Sequence, residues 1–284
     1  MNRLKRKNAA PAAQGVPAAG INQVTWKERL ASYRRDPLSL ALRLVVCLAA
    51  AITAAVLLAL IAYILIRGIP HLKPSLFELH YNSENVSMFP AMVMTLYMTV
   101  LCLLIATPLG VGCAIYLTEY AKRGNKVVEV IRLAAETLSG IPSIVYGLFG
   151  MLFFVTALGW KYSILAGACT LSIMVLPLII RSTEEALKSV PDSYREASFG
   201  LGAGKLRTVM RVVLPPAMPG IVAGIILAVG RIVGETAALI YTAGTVAKIT
   251  GNPMESARTL SVHMYALSSE GLHTNEAFAT AVVL

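Results

Sequence analysis

The sequence predicts an all-α integral membrane protein, a polytopic helix bundle, and three observations carry that prediction. Of 284 residues, 56% are hydrophobic and only 14% charged, where a soluble domain carries about a quarter charged residues. The apolar residues fall in runs near the length of about 20 that crosses a bilayer core. The charges collect beside the ends of those runs. Between the runs no stretch remains for a soluble domain of ordinary size, roughly 100 residues.

Residues 1–40 are polar and basic, with an Ala/Pro/Gly-rich patch at 9–20, and read as a flexible cytosolic tail. Trp26, Lys27, Arg29, Arg34 and Arg35 suit a short interfacial helix. The first span is 42–66, within a segment bounded at 41–66. It is too long and too far from the terminus for a cleaved signal peptide. Residues 67–90 form an outside loop. The second span, 91–117, is interrupted by Pro108 and Gly110. Residues 120–126 make a basic inside loop, and 127–136, with Glu129, Arg132 and Glu136, an interfacial lead-in. The third span is 137–158 and the fourth 162–180, with Pro177 near its end. The fifth is 218–241. An outside loop with short helices follows at 242–275, and 276–284 begin a sixth run. Eight or so residues do not cross about 30 Å of hydrocarbon, so a chain that continues past Leu284, or lacks its last helix, is expected. Prolines within successive spans imply kinked helices whose freed carbonyls neighbours re-satisfy.

The net charge of +10 reads as membrane orientation rather than nucleic-acid binding. With the N-terminus inside, segments 1–43, 118–137 and 181–217 hold 19 Lys and Arg, and the outside loops 5. The positive-inside rule then places the 181–217 loop in the cytosol.

That loop is the polar centre of the chain. Ser193 and Glu196 have capping-box spacing, which predicts a short helix from Tyr194, ended by Gly200, Gly202 and Gly204. Leu206, Val209, Met210, Val213 and Leu214 then recur at helical spacing, with Lys205, Arg207 and Arg211 on other faces. This predicts an amphipathic helix at the membrane surface. Pro215, Pro216 and Pro219 are expected to stop it and turn the chain into the fifth span. Gly200 to Lys205 imitates a phosphate-binding loop, but Phe199 stands where the motif needs glycine and Leu206 where it needs Ser or Thr. The chain is therefore read as a non-enzyme without cofactor, powered by a partner.

The fifth span contains Arg231, Glu235 and Thr236 in an otherwise apolar run. Arg231 and Glu235, four apart, are expected on one helix face, where pairing lowers the insertion cost of about 2.5–3.5 kcal/mol for a lone arginine. Two readings stand: a neutralised pair joining helices, and a cation lining an anion path. A guanidinium fork suits a tetrahedral oxyanion, and Glu235 would then orient Arg231 or exchange partners with it. Gly220/Gly224 and Gly230/Gly234 have small-x3-small spacing, consistent with close packing on a second subunit. Cys47, Cys102, Cys113 and Cys169 lie in or at the ends of apolar runs and match no zinc spacing. His71, His80, His263 and His273 fall on outside loops without metal-type spacing.

The segment Arg195-Glu196-Ala197-Ser198-x3-Gly202-x9-Val212-x-Leu214-Pro215 resembles the EAA loop of ABC importer permeases of type I. Its consensus has Ala at the position of Ser198 and Ile at that of Val212. The resemblance implies that the helix around Glu196 fits a groove on an ATPase subunit and passes its closure to the spans. It also implies a permease core over 91–284, with 181–217 as the coupling loop. The segments at 108–121, 139–150, 176–215 and 230–244, and the closing TLSVHMYALSSEG, are similar to the PstA family of phosphate-specific transport permeases. Ala238 stands where that family commonly has proline. The likeness implies a bacterial inner membrane, a PstC sister subunit, two PstB ATPases and an extracytoplasmic phosphate-binding protein, PstS. Arg231, Glu235 and Thr236 are the residues assigned to the substrate path. A PstC-type subunit, or a permease for sulfate or molybdate, remains the neighbouring reading. An ion-coupled transporter would need its own coupling carboxylates and usually an internal repeat.

Overall fold

The computed structural model describes residues 37–122 and 124–284. Residues 1–36 of the expected tail, with the interfacial helix expected around Trp26, lie outside those residues, and 37–40 are helical rather than tail. Among the described residues the regular structure is helical throughout. By its contacts the chain divides into residues 1–61 and 62–284.

Within the first unit runs most of α1 (Pro37–Gly68), a 32-residue helix apolar on every side. Leu44, Val46 and Leu58 are exposed. An all-round apolar helix of this length is what lipid selects.

The second unit holds the bundle. Helix α2 (Phe89–Ile115) starts with Pro90 in its first turn, runs through Pro108 and widens into a π-turn at Tyr116–Tyr120. Helix α3 (Lys126–Ser139) is capped by Asn125, whose side chain accepts from the Val127 amide at 3.0 Å. Helix α4 (Ser143–Gly150) continues as a π-turn at Met151–Ala157. Helix α5 (Ile164–Lys188) is capped by the Ser163 hydroxyl, which accepts from the Ala166 amide. Next come α6 (Asp192–Gly200), α7 (Lys205–Thr208), a π-turn at Val209–Val213, and α8 (Leu214–Val233). Three shorter helices close the unit: α9 (Ala237–Ile240), α10 (Leu260–Glu270) and α11 (Thr274–Val283).

Four helical segments are long and apolar enough to cross a membrane: Leu38–His71, Phe89–Tyr120, Ile164–Lys188 and Lys205–Val233. The expected third span differs. Instead of one helix over 137–158, α3 and α4 meet at a 105° bend. Gly140, the C-cap of α3, and Pro142 stand at the bend, and a proline disfavours helical geometry in the residue before it. The expected interfacial lead-in is thus a separate helix. The fourth span also continues past Ile180 to Lys188, taking its last two turns into the polar loop. The fifth begins far earlier than residue 218 and ends at Val233, not Tyr241.

Pro215, Pro216 and Pro219 do not stop the helix as expected. Pro215 and Pro216 fall where the π-turn meets α8, and Pro219 lies inside α8. The preceding π-turn closes with Leu214 N–H donating to Val209 C=O, so Lys205–Val233 forms one span-length helical segment.

Helix α5 is the hub, buried along most of its apolar length. Its Leu171, Val175 and Ile179 pack with Met98 and Cys102 of α2 and Ile232 of α8. The Ser172 hydroxyl lies 2.6 Å from Ala168 C=O of its own helix and 3.1 Å from the Cys102 carbonyl of α2. A second cluster, Leu187, Val190, Val213 and Ile221, joins the ends of α5 and α8. Gly220 and Gly224 serve that contact within the chain. A β-carbon on Gly220 would stand 2.7 Å from Ala186, and one on Gly224 would collide with Ser182.

Candidate functional site

The polar loop folds into a helix, a left-handed turn and the start of α8. Helix α6 begins at Asp192 with Pro191 before it and no side-chain cap. The Ser193–Glu196 capping box does not form, because proline already sets the entry and Ser193 lies inside the helix. The far end matches expectation. Gly202 has φ +80°, and the Ala203 amide donates to Ser198 C=O at 3.1 Å while that of Gly202 donates to Phe199 C=O at 2.9 Å. Those two bonds make a Schellman turn, whose left-handed position glycine occupies without a β-carbon clash. Ser198, the first departure from the EAA consensus, is buried and its hydroxyl lies 2.8 Å from that of Thr208. This bond ties α6 to α7.

Along the outer side of α6 runs a groove of about 430 Å³ lined by Tyr194, Ala197, Leu201, Arg211 and Val212. Leu201 is 90% exposed, and Glu196 also faces outward. Leu214 packs inward beside the cluster of Leu187 and Ile221, and Pro215 is exposed. An apolar groove with a basic edge and an exposed leucine is shaped to receive another protein surface.

Arg195 points the other way. Its Nε donates to Glu119 Oε1 and Oε2 at 3.1 and 3.2 Å, and Nη2 to Oε1 at 2.7 Å. Nη2 also reaches Leu187 C=O at 2.9 Å, and Nη1 reaches Val190 C=O at 2.8 Å and Asp192 Oδ1 at 3.1 Å. Every N–H of the guanidinium is thus engaged. The bonds to Glu119, outweighing burial, push the Arg195 pKa above the usual arginine value. Beside it, Lys205 Nζ stands 5.1 Å from the centre of the Tyr120 ring. Glu119 and Tyr120 lie in the segment 108–121 that resembles the PstA family, but neither was among the expected site residues.

The predicted path residues separate. Helix α8 ends at Val233 with Gly234 as its C-cap, so Arg231 and Glu235 do not share a helix face and form no ion pair. Glu235 is buried. Its Oε1 accepts from the Ala238 amide at 3.1 Å, capping α9, and its carbonyl accepts from the Ser261 hydroxyl at 2.6 Å. Thr236 is half-buried at the start of α9. The proline common in the PstA family at position 238 would lack the amide that holds Glu235 here.

Arg231 is exposed in the last turn of α8 and borders a cavity of about 420 Å³ between α3, α5 and α8. The cavity also carries Arg132, Arg181, Glu184, Glu185 and Lys188. Glu184 is buried and takes Lys188 Nζ at 2.6 Å and Arg132 Nη2 at 3.3 Å. Arg181 pairs with Glu185 at 3.3 Å. Among the described residues Arg231 makes no ion pair. Its neighbours in the cavity, Met174, Pro177 and Leu178, lie near the middle of α5. Arg132 and Glu184 were not predicted as site residues; the sequence separation of their pairing hides it.

A family model for binding-protein-dependent transport system inner membrane components matches residues 106–283. The probable ABC transporter permease protein YqgI of Bacillus subtilis is 39% identical over 240 residues, covering 79% of this chain and 81% of its own. The phosphate transport system permease protein PstA 2 of Mycobacterium bovis is 38% identical over 200 residues, 70% of this chain and 65% of that one. PstA of Xylella fastidiosa is 40% identical over 146 residues, 51% and 50% respectively. The chain thus spans half to two thirds of the length of these two PstA proteins. Among solved structures, a chain of a bacterial alginate ABC transporter superposes with a TM-score of 0.60 at 14% identity, over 89% of this chain and 90% of that one. A chain of the MetNI methionine ABC transporter does so at 0.52 and 23%, over 69% and 85%. Both share the fold.

Proposed function

The chain belongs to the family of binding-protein-dependent transport system inner membrane components, and on that premise we propose that it is the PstA-type permease subunit of an ATP-driven phosphate importer. As an ABC permease it is membrane-embedded and works with an ATPase and a binding protein. The finer assignment is a PstC-type sister subunit, two PstB-type ATPases and a PstS-type phosphate-binding protein, in a bacterial inner membrane. The basic residues at the ends of the spans support an orientation with the N-terminus and α6 on the cytosolic side. Helix α6 and its groove would then receive the ATPase.

The observation that carries the anion path is Arg231, a cation at mid-bundle depth bordering a cavity and making no ion pair with a described residue. An unpaired guanidinium there is costly in lipid, and a passing oxyanion with paired acceptors repays it. Glu235 is held by the α9 backbone, so it does not neutralise Arg231. Thr236 completes the segment as a polar lining residue. Relatives named as phosphate transport permeases support phosphate as that oxyanion.

The test is uptake of radiolabelled phosphate by vesicles containing the assembled transporter. Arg231→Gln is expected to lower uptake at least about tenfold, from loss of a charge-assisted contact of about 1.5–3 kcal/mol, with assembly unchanged. Normal uptake by that variant sinks the role of Arg231. Transport of sulfate but not phosphate by wild type keeps the permease and replaces the substrate.

A further inference from the structure

The grip of the α2 terminus on the coupling helix has no counterpart in the loop motif. Glu119 lies in the π-turn at Tyr116–Tyr120, which closes with Ala121 N–H donating to Tyr116 C=O at 2.9 Å. Within that turn Glu119, with its side chain 8% exposed, meets an Arg195 side chain 14% exposed. Tyr120 meets Lys205. Two adjacent residues of α2 thus hold the two ends of the α6 turn, one by a forked ion pair and one by a ring face. The same guanidinium takes two carbonyls just past the end of α5, at Val190 and at Leu187, the latter also accepting from the Val190 amide.

We propose that Glu119 is a positioning residue for coupling: it clamps α6 to α2 through Arg195, so that displacement of α6 by the ATPase moves α2 and α5 as one body. Connection by chain alone would drive only α5, which precedes α6, and α8, which follows it. The clamp ties α2, which already packs on α5, directly to α6. This inference rests on membership of the permease family and not on the phosphate assignment.

The experiment uses the full transporter with its ATPase subunits in vesicles, with spin labels at Ser193→Cys on α6 and Leu104→Cys on α2 in a chain whose four cysteines are replaced. Both sites are exposed. With Glu119 present, the distance between the labels is expected to be the same without nucleotide and after trapping with ATP and vanadate. In Glu119→Gln it shifts or splits on trapping, and phosphate carried per ATP hydrolysed falls at least about tenfold while the ATPase subunits remain bound. Arg195→Gln added to Glu119→Gln changes the distance no further, because either change opens the same clamp.

The label distance decides. If it is as insensitive to nucleotide in Glu119→Gln as in the parent, or changes with nucleotide in the parent itself, the clamp is wrong. Loss of ATPase subunits with an unchanged label distance reduces Glu119 to a folding role and overturns the proposal. A parent complex that carries no phosphate removes the substrate assignment alone, and the labels still report on the clamp.

Discussion

His263 lies on α10, outside the segments that can cross a membrane, with no exposed surface. The sequence placed it on a loop; the helical spacing of Leu260, His263 and Leu267 was the signal that it faces inward. Burial, and then the charge of Arg258, lower its pKa from 6.5 to about 3. Arg258 itself stands 4.3 Å from the centre of the Tyr81 ring, whose edge meets the imidazole. The unfolded chain takes a proton near pH 6.5 that the folded chain refuses until about 3. Stability is therefore full above 6.5 and falls with pH below it, by up to about 1.4 kcal/mol per unit. Thermal unfolding of the detergent-solubilised protein should show a loss near 2 kcal/mol, roughly, between pH 7 and pH 5, and His263→Leu should remove that part of the slope. An identical slope in both proteins assigns it to other groups. Glu235 teaches a different lesson at the same scale. Its spacing from Arg231 implied a pair only if one helix ran through both, and Gly234 ends that helix.

At the scale of elements, local chemistry in the loop was legible and long-range pairing was not. The glycine that ends α6 could be read directly, because a left-handed position has so few candidates. The partner of Arg195 could not, since Glu119 is 76 residues away and no local pattern links the two. The prolines of α8 were misread for a related reason: their effect depends on whether they open a helix or interrupt one. Packing of α5 on α8 gives a clear contrast among glycines. Gly224→Leu must push the two helices apart against Ser182 and should destabilise the bundle by about 1–3 kcal/mol. Gly230 has nothing within 4 Å, so Gly230→Ala should leave stability equal or raise it by up to about 1 kcal/mol through helix propensity. Unfolding temperatures of the two variants check this, and equal losses would place the α5–α8 contact elsewhere.

For the whole molecule, the membrane class, most of the spans and the coupling loop followed from apolar runs, charge position and one motif. The bend between α3 and α4 and the true ends of α5 and α8 did not, because they depend on how polar turns pack rather than on hydropathy. The proposed orientation has a direct check. In a chain with its four cysteines replaced, Tyr265→Cys should react with a membrane-impermeant maleimide in intact spheroplasts, and Lys122→Cys only after lysis. Both positions are exposed, and the reverse pattern would invert the topology. The burial of α5 has a further consequence, in time. Its helical neighbour α2 leaves the ribosome before it, but α8 follows only after the polar loop has been made. At about 5–20 residues per second, the hub waits a few seconds for its second wall. Until Val233 has been synthesised, the buried face of α5 has only part of its native surroundings and stands open to wrong helix pairing.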